Sequence, residues 1–179
     1  MCIAGELLIL TGPPGSGKTT TAKSIAALKG SPKVHLHADD FWHFVKNGAI
    51  RPHLSHAHQQ NGVVMKAVAS AAREYALGGY FVVVDGIVGP WFLHEFRKVA
   101  VPKHYIVLQS DLDVLIERCE RREDTQQVDA SAISSWHRQF RSLGNLKRHA
   151  LEVINLTPEQ LIEEVVSAVE SKHFRLAEE

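Results

Sequence analysis

The sequence has too little cysteine to be held together by disulfides. Its two cysteines, Cys2 and Cys119, form neither the dense framework of a small secreted scaffold nor a zinc-type pair. Two reduced thiols in a cytoplasmic protein are the expectation. An excess of one charge is also missing. The 20 Lys and Arg balance 20 Asp and Glu, so no global field draws the chain to nucleic acid or to an anionic membrane. Long apolar runs are absent as well. Nothing approaches the ~20 apolar residues needed to span a bilayer. The early run from Leu7 to Leu10 is too short for a signal peptide and leads straight into a glycine-rich loop. No repeat, low-complexity tract or linker divides the chain, so a single domain over residues 1–179 is expected.

What is present is an alternation of short apolar runs with longer helical patterns. Leu7–Leu10, Val34–His37, Phe81–Val84, Tyr105–Leu108 and Leu151–Leu156 read as five strands. They are continuous rather than alternating apolar runs, which suits a parallel sheet covered on both faces. Helices are expected over 18–28, 59–77, 111–121 and 133–143, and after Thr157-Pro158-Glu159-Gln160. The Gly78-Gly79 pair should stop the second helix through a left-handed residue. Thr157 and Gln160 have the spacing of a capping box, with Pro158 suited to the first turn. Strand–helix alternation implies right-handed crossovers and a doubly wound α/β fold. In such a sheet ligands bind at the C-terminal ends of the strands. The polar residues there are the 11–17 loop, Asp39-Asp40, Asp85 and Gln109.

The segment Gly12-Pro13-Pro14-Gly15-Ser16-Gly17-Lys18-Thr19 fits the phosphate-loop pattern G-x-x-x-x-G-K-[ST], and it stands between a predicted strand and a predicted helix. Glycines let the backbone wrap so that its N–H groups converge on phosphate oxygens, and the following helix adds its positive dipole end. Lys18 supplies a mobile charge for the β- and γ-phosphates. Thr19 has the hydroxyl that ligates magnesium, and Thr20 continues the nucleotide-binding segment. ATP with Mg2+ is the cofactor pair this loop predicts.

Two acidic positions lie at the same mouth. Asp39, with Asp40 beside it, follows the second strand and can deprotonate or anchor an acceptor hydroxyl; a plain helix cap is the bland alternative. Asp85 ends a run of four apolar residues in the manner of a Walker B carboxylate and is the second candidate metal-shell residue, against a simple turn with Gly86. Arg118 and Arg122 are four apart and share a helical face. They lead into a polar stretch, about 120–132, expected to act as a lid, on which guanidinium groups could reach phosphate. A solvated, ion-paired helix end is the competing reading. His53, His56 and His58 lack the companions of a dedicated metal site and suggest a solvated loop or substrate flap. No N-K-x-D motif is present, which argues against a regulatory GTPase.

Taken together, the Gly12–Thr19 loop, Asp39, Asp85 and the R-x-x-x-R of Arg118 and Arg122 resemble the small P-loop kinases: the gluconate kinase, shikimate kinase and chloramphenicol phosphotransferase group, with adenylate and cytidylate kinases as wider relatives. The resemblance implies a three-layer fold with a five-stranded parallel sheet, a substrate region near 39–60 and a lid. It also implies transfer of the γ-phosphoryl group of Mg-ATP to a hydroxyl of a small molecule, with Lys18, Asp39, Arg118 and Arg122 in catalytic roles. The middle of the chain lacks a clear arginine set for an acceptor phosphate, so a cytidylate-like nucleoside monophosphate kinase is the runner-up. A polynucleotide kinase is disfavoured by the neutral charge. A nucleotide-binding regulator with slow ATPase activity is the reading of a different class. A monomer and a homodimer are both compatible with the sequence.

Overall fold

The computed structural model describes residues 3–121 and 129–177. Five strands form one parallel sheet: β1 (Leu7–Thr11), β2 (Lys33–His37), β3 (Phe81–Gly86), β4 (Lys103–Gln109) and β5 (Ala150–Glu152), in the order β2-β3-β1-β4-β5. The helices are α1 (Lys18–Ala27), α2 (Ala38–His43), α3 (His58–Leu77), α4 (Pro90–Arg97), α5 (Leu112–Glu120), α6 (Ala130–Arg141) and α7 (Pro158–Glu170). The expected doubly wound, three-layer architecture is therefore present.

The continuous apolar strands work because alternate residues enter different cores. Leu7 and Ile9 of β1, with Val82, Val84, Tyr105 and Val107, pack against α3 and α4 residues such as Val68 and Phe96. Leu8 and Leu10, with Phe81, Val83, Ile106 and Leu108, pack against Ala22 and Ile25 of α1 and Leu161 and Val165 of α7. A one-residue slip of any central strand would exchange the two cores, so register is strongly specified.

The local signals resolve as follows. Gly79 adopts φ 87; its N–H donates to Ala76 O and that of Tyr80 to Tyr75 O, closing α3 with a Schellman motif. At α7, the Thr157 side chain accepts from Gln160 N–H and Gln160 Oε1 accepts from Thr157 N–H, so the capping box is complete. The fifth strand is shorter than expected and ends at Glu152. Asn155 sits at φ 62, a left-handed turn residue that an extended run to Leu156 cannot contain. Helices α2 and α4 were not anticipated. Pro90 opens α4 from Gly89, and Phe92, Leu93 and Phe96 give it a buried face that the glycines around it obscured.

Because β5 pairs only with Val107–Gln109, the first half of β4 has an open side. The stretch after α7 fills it: Tyr105 N–H donates to Phe174 O, Leu176 N–H donates to Lys103 O, and His104 forms an antiparallel bridge with Arg175.

Candidate active site

The phosphate loop joins β1 to α1, and its glycines are dictated by close neighbours. Gly15 has φ 82, and a Cβ there would stand 2.6 Å from Leu115 O of α5. Gly12, at φ 148, would put a Cβ 2.5 Å from Leu108 O of β4. Lys18 is buried, and its Nζ donates to Pro13 O at 3.2 Å, so the ammonium is folded into the loop it serves. Ser16 Oγ is buried without a hydrogen-bond partner among the described residues. A buried hydroxyl at the centre of an N–H-lined loop fits a phosphate oxygen.

Asp85 lies at the tip of β3 with its side chain fully buried. Three groups converge on it. Thr19 Oγ1 donates to Oδ2 at 2.5 Å, His35 Nε2 is 2.5 Å from Oδ1, and His37 Nδ1 is 3.1 Å from both oxygens. The convergence follows from register. His35 and His37 are two apart on β2 and pair with Val83 and Asp85, so both imidazoles share the face that α1 covers. Burial alone would raise the Asp85 carboxyl. The hydrogen bonds from His35, His37 and Thr19 prevail and hold it well below the usual carboxylate range. The bond to Asp85 raises His37 above the ordinary histidine value against the opposing effect of burial, with Asp39 and Asp40 adding to the charge it feels. The donor pair of Thr19 hydroxyl and Asp85 carboxylate is oxygen-only and fits Mg2+.

Asp39 stands in the first turn of α2, exposed, with Oδ2 3.7 Å from His37 Nε2. It is not the helix cap: that position is His37, and no side chain caps α2. Thr19, Asp85, His37 and Asp39 thus form one unbroken line of contacts from the phosphate loop to the segment after β2. Arg118 reaches the loop from α5, with Nη1 3.5 Å from Gly15 O. Arg122, and the 122–128 part of the expected lid, lie outside the described residues. Arg121 forms an exposed i,i+4 pair with Glu117, the bland reading for this helix end.

Gln109 does different work from that expected of it. It is buried; its Nε2 donates to Phe140 O and its Oε1 accepts from Arg141 Nη1 at 3.2 Å. Its amide therefore fastens β4 to α6. His53 and His56 are exposed and His58 stacks on Phe92. Trp42 joins the edge of the core, and its Nε1 donates to Asn61 Oδ1 at 2.9 Å, while Asn61 Nδ2 donates to Pro52 O at 2.8 Å.

The residues missed in the sequence are His35, His37 and Asn61. For the histidines a signal existed: two imidazoles at i and i+2 on a short strand, next to a strand that ends in Asp.

A family profile described as an AAA domain matches residues 8–141. The chain belongs to the AAA-domain family. The AAA domain runs from β1 through α6 and contains the phosphate loop, Asp39, Asp85 and Arg118. No curated protein matches the sequence significantly. Among solved structures, a sugar kinase from Janibacter sp. HTCC2649 is similar with TM-score 0.70 at 19% identity, over 92% of this chain and 94% of that one. A gluconokinase from Sinorhizobium meliloti 1021 gives 0.67 at 16%, over 94% of each chain. A shikimate kinase from Acinetobacter baumannii, solved with shikimate, gives 0.63 at 16%, over 93% of each. At these identities the likeness is one of fold: the AAA domain here has the P-loop architecture that those kinases share.

Proposed function

We propose that the protein is an ATP-dependent kinase that phosphorylates a hydroxyl of a small molecule in the cytoplasm. The observation that carries this reading is the line of contacts Thr19–Asp85–His37–Asp39, which links a phosphate cradle to an exposed carboxylate one residue into α2. A nucleotide-binding regulator has no need of an acid at that end.

In this reading the 12–19 loop wraps the β- and γ-phosphates, and Lys18 leaves Pro13 O to follow the charge that grows on the transferring group. Arg118 approaches the same phosphates across Gly15. Asp39 accepts the proton of the acceptor hydroxyl or orients it. Thr19 and Asp85 would hold Mg2+, which when bound withdraws charge from the phosphate oxygens. Residues 39–60 form the acceptor side, and neither a membrane nor nucleic acid is required.

The test is ATP consumption against a panel of sugar acids, shikimate, nucleosides, nucleoside monophosphates and hydroxylated antibiotics. One acceptor should stimulate turnover, and Lys18→Ala should lower that turnover by ~100-fold or more. Asp39→Asn should lower it by ~10²–10⁴-fold while ATP binding persists. A nucleoside monophosphate as the single stimulator would favour the cytidylate-like reading. Slow ATPase activity that every acceptor leaves unchanged would favour the regulator.

A further inference from the structure

The histidines of β2 serve no step of the proposed phosphoryl transfer, yet with Thr19 they are the groups that hydrogen-bond its buried carboxylate. One ring nitrogen each of His35 and His37 and an Asp85 oxygen lie within 4.8 Å of one another, and the nitrogens bonded to Asp85 are His35 Nε2 and His37 Nδ1. Asp85 has no exposed surface, and the side chains of His35 and His37 are 17% and 26% exposed. Two nitrogens and one carboxylate oxygen is a donor set that hard, oxygen-seeking Mg2+ does not call for. It suits zinc, cobalt and their neighbours, which take imidazole readily, and three protein ligands leave a fourth position open. The scaffold is rigid. Both histidines and the aspartate sit on two adjacent strands whose register is fixed, every residue of the edge strand β2 being paired with β3, so no loop must fold to assemble the set. Supporting groups stand nearby: Thr19 Oγ1 bonds the second Asp85 oxygen, and Asp39 is at ion-pair distance, 3.7 Å, from His37 Nε2, the ring nitrogen left free when Nδ1 ligates. A carboxylate on the far nitrogen is the partner that orients a ligating histidine.

We propose that His35, His37 and Asp85 form a binding site for one divalent transition-metal ion of the zinc or cobalt class, which takes up the ion without nucleotide. On binding, any proton held between an imidazole and Asp85 is released to solvent, and the ion replaces it as the positive partner of the buried carboxylate. The consequence at the phosphate loop is a choice of metal: Thr19 shares Asp85 with an ion held by nitrogen, beside the place where Mg-ATP would bring its own.

The experiment is a Co2+ titration of the full chain without nucleotide, read by visible absorption. A saturable band at one ion per chain, displaced by one equivalent of Zn2+, is the expected result. His35→Gln and His37→Gln should each weaken it by at least ~10-fold, since even outer-layer partners of a metal cost ~10–100-fold. Lys18→Ala should keep the band while losing turnover, which separates this site from the kinase reading. The double variant His53→Gln/His56→Gln should also keep it. If the strand variants do not fold, nitrogen NMR of the wild-type histidines on Zn2+ addition answers the same question, with two imidazoles expected to move. No saturable band, a band indifferent to both strand histidines, or imidazole shifts confined to other histidines would overturn the proposal.

Discussion

Gly15 shows how one residue joins two requirements. Its left-handed backbone forms the phosphate loop, and its bare Cα lets α5 approach to within contact of that loop. Gly15→Ala faces both the φ penalty and a clash with the Leu115 carbonyl, which is backbone and cannot swing away. A loss of about 1–3 kcal/mol is expected, measured by thermal unfolding, together with loss of binding to a fluorescent ATP analogue. His37 gives a second residue-level prediction. Because its bond to Asp85 raises it above 6.5, the stabilisation is full below that value and fades as pH rises through the raised one. Asp85 is displaced downward, so its share is present above the usual carboxylate range and is lost only in acid. The stability advantage of wild type over His37→Gln, measured with a chelator present, should therefore be larger near pH ~6 than near pH ~8.5.

At the scale of elements, α3 organises the acceptor side. Gln60 Nε2 donates to Ile50 O at 2.7 Å and its Oε1 accepts from Ile50 N–H at 3.0 Å. The next residue, Asn61, accepts from Trp42 Nε1 and donates to Pro52 O. Two neighbouring amides thus pin an otherwise irregular segment at Ile50 and Pro52 and tie it to Trp42 of α2. Asn61→Ala leaves a part-buried indole N–H without its acceptor, a cost of about 1–3 kcal/mol. Steady-state kinetics should show KM for the acceptor rising more than KM for ATP, and proteolysis should cut near Pro52 sooner. These amides were not legible in the sequence, because a Gln-Asn pair in a helix looks the same whether its partners are water or a distant loop. The phosphate loop was legible because its function needs fixed residue types at fixed spacing. The capping box of α7 was legible for the same reason, and Thr157→Ala should lower stability by about 1 kcal/mol, measurable by urea unfolding. Helix α4 was obscured because Gly86, Gly89 and Pro90 speak for a loop, while the burial of Phe92 and Phe96 depends on a tertiary neighbour, α3.

On the scale of the whole molecule, the fold class followed from strand composition, since only a sheet covered on both faces needs unbroken apolar strands. The order β2-β3-β1-β4-β5 did not, because strand neighbours depend on long-range packing. That order is what makes the site. It sets β3 between β2 and β1, so Asp85 lies between the histidines and the loop. Gln109 was misjudged on the same ground: position at a strand end marks a functional residue and a structural fastener equally, and here Phe140 and Arg141 decide for the fastener.

The stretch from Phe174 to Leu176 has a consequence beyond filling space. The lower half of β4 is a row of peptide groups that any extended peptide would recognise, and the protein answers it with its own chain, run in the opposite sense to the sheet. It is in effect its own inhibitor of strand exchange. A chain shortened before Lys172 would keep its phosphate loop and lose that guard, and the exposed row would be open to the same row of another copy. Light scattering should then report association that grows with concentration, and a synthetic peptide of residues 172–177 should suppress it.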